Sequence, residues 1–321
     1  MNEVLNIAAV AVLALGAVVF TATATIWHLY MFQMNHYIHP DHWRWMFHAP
    51  RNLRSVFPPL LAALAAVLIK DVAVGRLAAG GLLFAGAFLA LGGFRKLKYT
   101  RRVNTLIVTN VIVEALIVWG LFAAGLPLAA AVAAGCALIP WLIMLSDWID
   151  WPIEHGFRAY YIRDAKQLLA RNPDLVVVGV TGSYGKTSMK YFLSSLLGIK
   201  YNVLMPPGSC NTPMGIVKFV RGNITLAHEV FVCEMGARRV GEIKEICDLV
   251  NPLHAVITAV GEQHLETFRT LENVRRTKFE LAEAAKPEGM VFLNGDNAAI
   301  REYDLKRKHL YYGLPLRSSS N

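Results

Sequence analysis

Apolar residues crowd into the first half of the chain in long runs, whereas the second half alternates short apolar stretches with mixed ones. A helix crossing the hydrocarbon of a bilayer needs about 20 predominantly apolar residues. Five stretches approach or exceed that length: 4–30, 56–74, 77–94, 105–125 and 127–146. Lys70, Asp71 and Arg76 crowd the junction of the second and third. These two read either as separate spans with snorkelling charges or as one re-entrant hairpin. The first run begins Met-Asn-Glu, without a basic leader, and is too long for a signal-peptide core, so it reads as a retained span. Residues 1–146 thus predict a transmembrane region of about five helices. Residues 147–173 carry Trp, Tyr, Lys, Arg and Leu at helical spacing and predict an amphipathic connecting helix near the membrane surface.

From residue 174 the period changes. Leu175–Val180, Val230–Cys233, Ala255–Thr258 and Met290–Leu293 are strand-like, and Thr187–Leu197, Val240–Val250 and Leu271–Ala285 are helix-like. Such alternation predicts a mainly parallel sheet covered by helices. The fold class expected is a multi-span α-helical membrane region followed by an α/β P-loop domain.

Charge refines the membrane reading. The net charge of +9 could suggest nucleic acid, but much of it sits in short loops, so no nucleic-acid partner is expected. Arg44, Arg51 and Arg54 follow the first span, and Arg95, Lys96, Lys98, Arg101 and Arg102 follow the third. Positive loops stay in the cytosol. Five spans then put the N-terminus outside and the second half in the cytoplasm, in a multi-pass protein of the cell membrane. His36, His39 and His42 are evenly spaced among Trp and Arg. They read as an interfacial segment, with a metal site as the competing reading. Four cysteines without metal spacing read as reduced thiols.

The strongest chemical signal is a strand running into Thr181-Gly182-Ser183-Tyr184-Gly185-Lys186-Thr187-Ser188 and then a helix. Glycines let backbone N–H groups curl around phosphate, and the helix N-terminus adds partial positive charge. Lys186 is placed to reach the β- and γ-phosphates of ATP, and the Thr187 hydroxyl to bind Mg²⁺. Val180 stands where the first glycine of the common motif is expected, with Gly179 one residue early.

This loop resembles that of the Mur ligases, the amide-forming enzymes of peptidoglycan precursor synthesis. Glu234-Met-Gly-Ala, Gly261-Glu-Gln-His264-Leu-Glu-Thr-Phe268, Lys278 and Asn294-Gly-Asp-Asn297 resemble further segments of the family, most closely of the branch that adds D-alanyl-D-alanine. The resemblance covers about residues 174–312. It implies ATP and Mg²⁺ as cofactors, with Thr187, Glu234, His264 and Lys278 around the metal and Lys186, His264 and Lys278 catalytic. It also implies a carbamylated Lys278, Asn297 at the nucleotide, and Asn211 and Thr212 in a substrate loop. The implied reaction activates a UDP-MurNAc-peptide-like carboxylate as an acyl phosphate, which a D-Ala-D-Ala-like amine then attacks. The lipid bilayer is the other expected partner.

Two departures qualify this expectation. Membrane spans stand where the family has a domain for the UDP-sugar. The sequence stops where the family continues into a domain for the amine, so the ATP-binding domain, 174–321, reads as truncated, its missing part supplied by a further domain or a partner chain. A membrane-anchored, non-catalytic nucleotide-binding module and a ligase for another acid, such as a folylpolyglutamate, are the alternative readings.

Overall fold

The computed structural model describes residues 2–35, 37–48, 52, 54–91, 97–262 and 265–313. The chain divides into two compact units, Met1–His155 and Gly156–Asn321.

The described part of the first unit is helical: α1 (Asn2–Met34), α2 (His39–His48), α3 (Phe57–Leu68), α4 (Val72–Leu91), α5 (Arg101–Ala123) and most of α6 (Leu128–Ala170). Helices α1, α4, α5 and α6 are long and apolar enough to cross a membrane, judged by length and composition. Helix α3 is not. Its 12 residues rise about 18 Å, against about 30 Å of hydrocarbon. The expected span over 56–74 is therefore a short apolar helix. Pro58 and Pro59 stand in its first turn, where no backbone N–H is lost from the ladder. It stops before Asp71, whose side chain accepts from the backbone N–H groups of Ala73 and Val74 and so starts α4.

Contacts fix the helix directions. A Cβ added at Gly16 would lie 2.3 Å from the Gly80 carbonyl oxygen, and one at Gly80 would lie 2.7 Å from the Leu13 backbone nitrogen. Backbone cannot yield as a side chain can, so only glycine allows this approach. Further along both helices Phe20 reaches Gly86, so α1 and α4 run parallel. Thr21 donates to Glu114 at 2.9 Å, and Asn110 donates to Thr25 at 3.4 Å, which makes α5 antiparallel to α1. Gly135 lies against Val118, and Thr109 donates to Asp150 at 2.8 Å, which makes α6 antiparallel to α5 and parallel to α1.

The stretches expected as a span (127–146) and a connecting helix (147–173) form one helix, α6, which continues through Pro140 and Pro152. Different partners hold its two ends. Its early turns pack in the first unit, where Ala133, Cys136, Ile139 and Ile143 are buried. Its last turns belong to the second unit, where Ala165 joins the core and Asp164 pairs with Arg221 at 2.5 Å.

The second unit contains β1 (Val176–Thr181), α7 (Lys186–Leu197), β2 (Val203–Leu204), α8 (Pro213–Asn223), β3 (Val230–Glu234) and α9 (Glu242–Val250). It continues with β4 (His254–Ile257), α10 (Leu265–Phe268), α11 (Leu271–Ala284), β5 (Val291–Asn294), α12 (Ala298–Arg301) and β6 (His309–Tyr312). The strands form one sheet in the order β2-β3-β1-β4-β5-β6, and every pairing is parallel. Val-rich runs suit β1 and β3 because a parallel sheet is covered on both faces. Phe231, Ile257 and Leu293 pack into the core on one face, and Val180, Val232 and Val256 into that on the other. Strand β1 is central, with β3 on one side and β4 on the other. The chain therefore reverses its direction of growth beside β1, and the carboxyl ends of these strands open a crevice of the kind that holds ligands in such sheets.

Candidate active site

Strand β1 delivers Thr181 to the crevice, and the loop that follows is tied to the end of β4. A Cβ on Gly182 would lie 2.1 Å from Thr258 Oγ1 and 2.8 Å from the Ala259 backbone nitrogen, so glycine is required there. The Ser183 backbone N–H donates to Ala259 O at 2.7 Å, and the Ser183 hydroxyl donates to Gly261 O at 3.0 Å. Tyr184 donates its hydroxyl to Glu262 O at 2.9 Å. Gly185 then turns at φ +78°, a conformation that favours glycine, and α7 begins at Lys186. The loop is thus shaped by its neighbours before any ligand arrives.

Lys186 folds over this loop, donating to Gly182 O at 2.5 Å and Ser183 O at 3.1 Å. Burial lowers its pKa, opposed by the charge of Glu234. Thr187 donates to Glu234 Oε1 at 3.2 Å. Ser188 is exposed on the outer side of the first turn.

Glu234 ends β3 and is 1% exposed. Asn211 donates to its Oε1 at 2.9 Å. This contact explains the glycine of Glu234-Met-Gly-Ala, because a Cβ on Gly236 would lie 2.8 Å from the Asn211 side chain. Its Oε2 lies 3.2 Å from Lys190 Nζ, yet makes no hydrogen bond there. The protons of Lys190 serve the carbonyls of Pro206, at 3.0 Å, and Gly208. The contact is therefore an ion pair without directional bonding, and one carboxylate oxygen retains accepting capacity. The Thr187 hydroxyl and this carboxylate are hard oxygen donors side by side, and they fit a Mg²⁺ ion.

Lys278 comes from the inner face of α11 and is 2% exposed. Its ammonium lies 6.0 Å from the centre of the Phe268 ring. Burial, then repulsion by Lys186, lowers its pKa from the usual 10.5 to about 8. Thr212 and Asn297, expected at the substrate and the nucleotide, both serve as helix caps. Thr212 accepts from Gly215 N at 3.3 Å and starts α8. Asn297 accepts from Ile300 N at 3.1 Å, starts α12, and donates to Val260 O at 3.1 Å. His264 lies outside the described residues. Of the three evenly spaced histidines in the first unit, His36 also lies outside them; His39 bonds Asp147 at 3.0 Å and His42 bonds Asn35 at 3.3 Å. Among the described residues no group of three His, Cys, Asp or Glu side chains is placed to hold a metal.

Lys190 was not expected at the site. It lies one helical turn after Lys186 and so on the same face of α7, which was the available signal. A fully buried lysine breaks the usual pattern of charge outside.

Residues 180–315 match the family described as the Mur ligase middle domain. The UDP-N-acetylmuramoyl-tripeptide–D-alanyl-D-alanine ligase of Mycobacterium tuberculosis is 36% identical over 136 residues, 42% of this chain and 26% of that protein. The ligase of the same name from Bacillus subtilis is 34% identical over 125 residues, 39% of this chain and 27% of that protein. A crystal structure of MurF ligase from Thermotoga maritima in complex with ADP is 34% identical, covers 49% of this chain and 36% of that one, and has a TM-score of 0.45. The chain therefore spans about a quarter of the length of these two curated relatives.

Two predictions follow from the buried lysines. Removing one partner of a buried ion pair costs about 3–5 kcal/mol because the other charge stays behind. Lys190→Met should lower the unfolding free energy of the full chain by about that amount, and adding Glu234→Gln should recover most of it. Denaturant titration of the two variants measures this; a single variant as stable as wild type would refute the pairing. For Lys278, the folded state releases its proton more readily than the unfolded state. Stability therefore rises with pH between about 8 and 10.5, and below about 8 the whole cost of burying the charge is present, about 3 kcal/mol. Lys278→Met should accordingly stabilise the chain at neutral pH by up to that amount, and the gain should shrink towards pH 10. A gain independent of pH would rule this account out.

Proposed function

Because residues 180–315 belong to the Mur ligase middle-domain family, we propose that this chain binds ATP and Mg²⁺ at the β1–α7 loop and activates a carboxylate for amide formation in peptidoglycan precursor synthesis. The observation that carries the reading is the convergence of Lys186, Thr187 and Glu234 at the crevice beside β1. The carboxylate is that of a UDP-MurNAc-tripeptide and the amine that of D-Ala-D-Ala, the substrates in the names of the relatives. A carboxylate oxygen attacks the γ-phosphorus, ADP leaves, and an acyl phosphate forms. The amine then attacks the acyl carbon, phosphate leaves, and the amine loses a proton.

The residues divide this work. The loop N–H groups and the N-terminus of α7 hold the phosphates. Lys186 exchanges its carbonyl partners for phosphate oxygens and steadies the charge that moves to the leaving group. Thr187 and Glu234 would hold Mg²⁺, which would neutralise phosphate charge. Asn211 sets the rotation of the Glu234 carboxylate. The lowered pKa of Lys278 leaves more neutral amine, the form that adds CO₂ and loses a proton; a carbamate there would supply a second anion to the metal. The match covers about a quarter of the relatives, so binding of the amine is assigned to protein outside the matched stretch, on a further domain or a partner chain.

The same reading places the chain in the cell membrane, with the N-terminus outside and the ATP site in the cytoplasm. Support for this orientation comes from the parallel course of α1, α4 and α6 with α5 opposed, and from the Arg and Lys that follow the first and third apolar runs in the sequence.

The ligase reading is tested by phosphate release from the full chain, supplemented with the remaining length of a relative. Release should require both substrates and rise with bicarbonate, and Lys186→Ala should abolish it together with nucleotide binding. ATP binding without any release under these conditions would leave a nucleotide-binding module and sink the ligase. Orientation is tested with a membrane-impermeant maleimide. Asn2→Cys should label in intact cells, and Leu226→Cys only after permeabilisation; the reverse pattern inverts the topology.

A further inference from the structure

In the first unit, buried hydrogen-bond donors gather around Trp45 without acceptors. The Trp45 ring lies 6.1 Å from Trp27, 5.8 Å from His28 and 5.2 Å from His42, between centroids. The Arg54 guanidinium stands 5.5 Å from the centre of the Trp27 ring. His28 and His42 are both fully buried. Trp27 Nε1, Arg54 Nε and His42 Nε2 are buried and have no hydrogen-bond partner.

All three are donors. The indole and guanidinium nitrogens cannot accept. The His42 tautomer is set by its other nitrogen: Nδ1 lies 3.3 Å from the Asn35 amide nitrogen, which donates, so Nδ1 accepts and the ring proton sits on Nε2. His28 adds a fourth group to the cluster. Its Nε2 lies 2.9 Å from Ser55 Oγ, and its Nδ1 has no partner. Among the described residues no carboxylate bonds any of these side chains.

An orphaned buried donor loses its hydration with nothing in exchange, and native structures hold few of them. Three in one aromatic cluster, one of them on a cation, call for a ligand that is anionic and rich in acceptor oxygens. We propose that this cluster binds a phosphate group. Tetrahedral oxygens accept several N–H bonds at once, and a guanidinium strengthens them.

The depth of the cluster bears on the source of the phosphate. Trp27 lies near the end of the apolar run of α1. On the neighbouring helices α2 and α3, Trp43, Phe47 and Phe57 are 39%, 57% and 58% exposed. Aromatic residues of this kind collect at the headgroup level of a bilayer. A phosphate there is part of a lipid headgroup or a free anion, and both offer the same chemistry. No residue of the second unit takes part, so this proposal stands or falls apart from the ligase reading.

The test uses the full chain, purified in neutral detergent and stripped of phospholipid. It is titrated with short-chain phosphatidic acid, with the diacylglycerol of the same chains, and with inorganic phosphate, and binding is read by calorimetry. Phosphatidic acid should bind and diacylglycerol should not. Arg54→Gln should weaken binding by about tenfold or more, and Trp27→Phe, which keeps the ring and removes only the N–H, by about fivefold. Binding of inorganic phosphate with the same losses in both variants also supports the site and assigns it to a free anion. Equal binding of phosphatidic acid and diacylglycerol, binding unchanged in both variants, or no binding of either phosphate probe overturns the proposal.

Discussion

The carboxylate of Glu234 is shared by three side chains from two separate stretches of the second unit. Thr187 comes from the first turn of α7, Lys190 from its second, and Asn211 from the loop before α8. A buried carboxylate is tolerated only where charge and hydrogen bonds meet it. The positions of the P-loop helix, the loop around Pro206–Asn211 and the end of β3 are therefore mutually dependent. Lys190 carries this further, because the ammonium that neutralises Glu234 also holds the carbonyls of Pro206 and Gly208. A shift in any one of these stretches would strand a charge.

This constraint also explains the electrostatic balance of the site. Lys186, Lys190 and Lys278 point into one region, and Glu234 is the buried carboxylate among them. Lys190 satisfies its protons within the protein. Lys186 borrows backbone carbonyls of its own loop, and Lys278 is held at a lowered pKa by burial and by Lys186. A nucleotide polyphosphate of the kind proposed would relieve the first of these two, and a metal with an anionic form of Lys278 would relieve the second. The excess of positive charge thus favours the ligands that the loop geometry favours.

Much of the second unit was legible because its signals are local. Unbroken apolar runs such as Val176–Val180 suit a buried parallel strand, and a glycine-rich turn before a lysine suits a helix start. Strand β2 was missed because two residues carry no period. Lys190 was missed because its burial depends on a carboxylate 44 residues away, which helical spacing does not reveal. Thr212 and Asn297 were assigned to ligands by resemblance, whereas their side chains meet backbone donors that only the folded turn brings near. In the first unit, hydropathy located the apolar runs but could not show that α3 stops at Leu68 or that α6 continues through Pro152. Both depend on the folded chain: Asp71 starts a new helix, and α6 packs at its early turns and again at its last ones.

Polar groups in the first unit fall into two kinds, and the difference decides what each can do. Thr21 with Glu114 and Thr25 with Asn110 form two rungs between α1 and α5, one helical turn apart. Such pairs join the two apolar helices by directional bonds. Apart from Asn110 Oδ1, their polar atoms are met within the protein. The donors around Trp45 have no such partners across the helices, although they are buried to a similar degree. Structural glue spends its hydrogen bonds within the protein, and this cluster leaves them pointing at nothing. Glu234 and the Trp45 cluster thus differ in what meets them: three side chains of the protein hold the Glu234 carboxylate in place, whereas the orphaned donors around Trp45 find acceptors only in the proposed ligand.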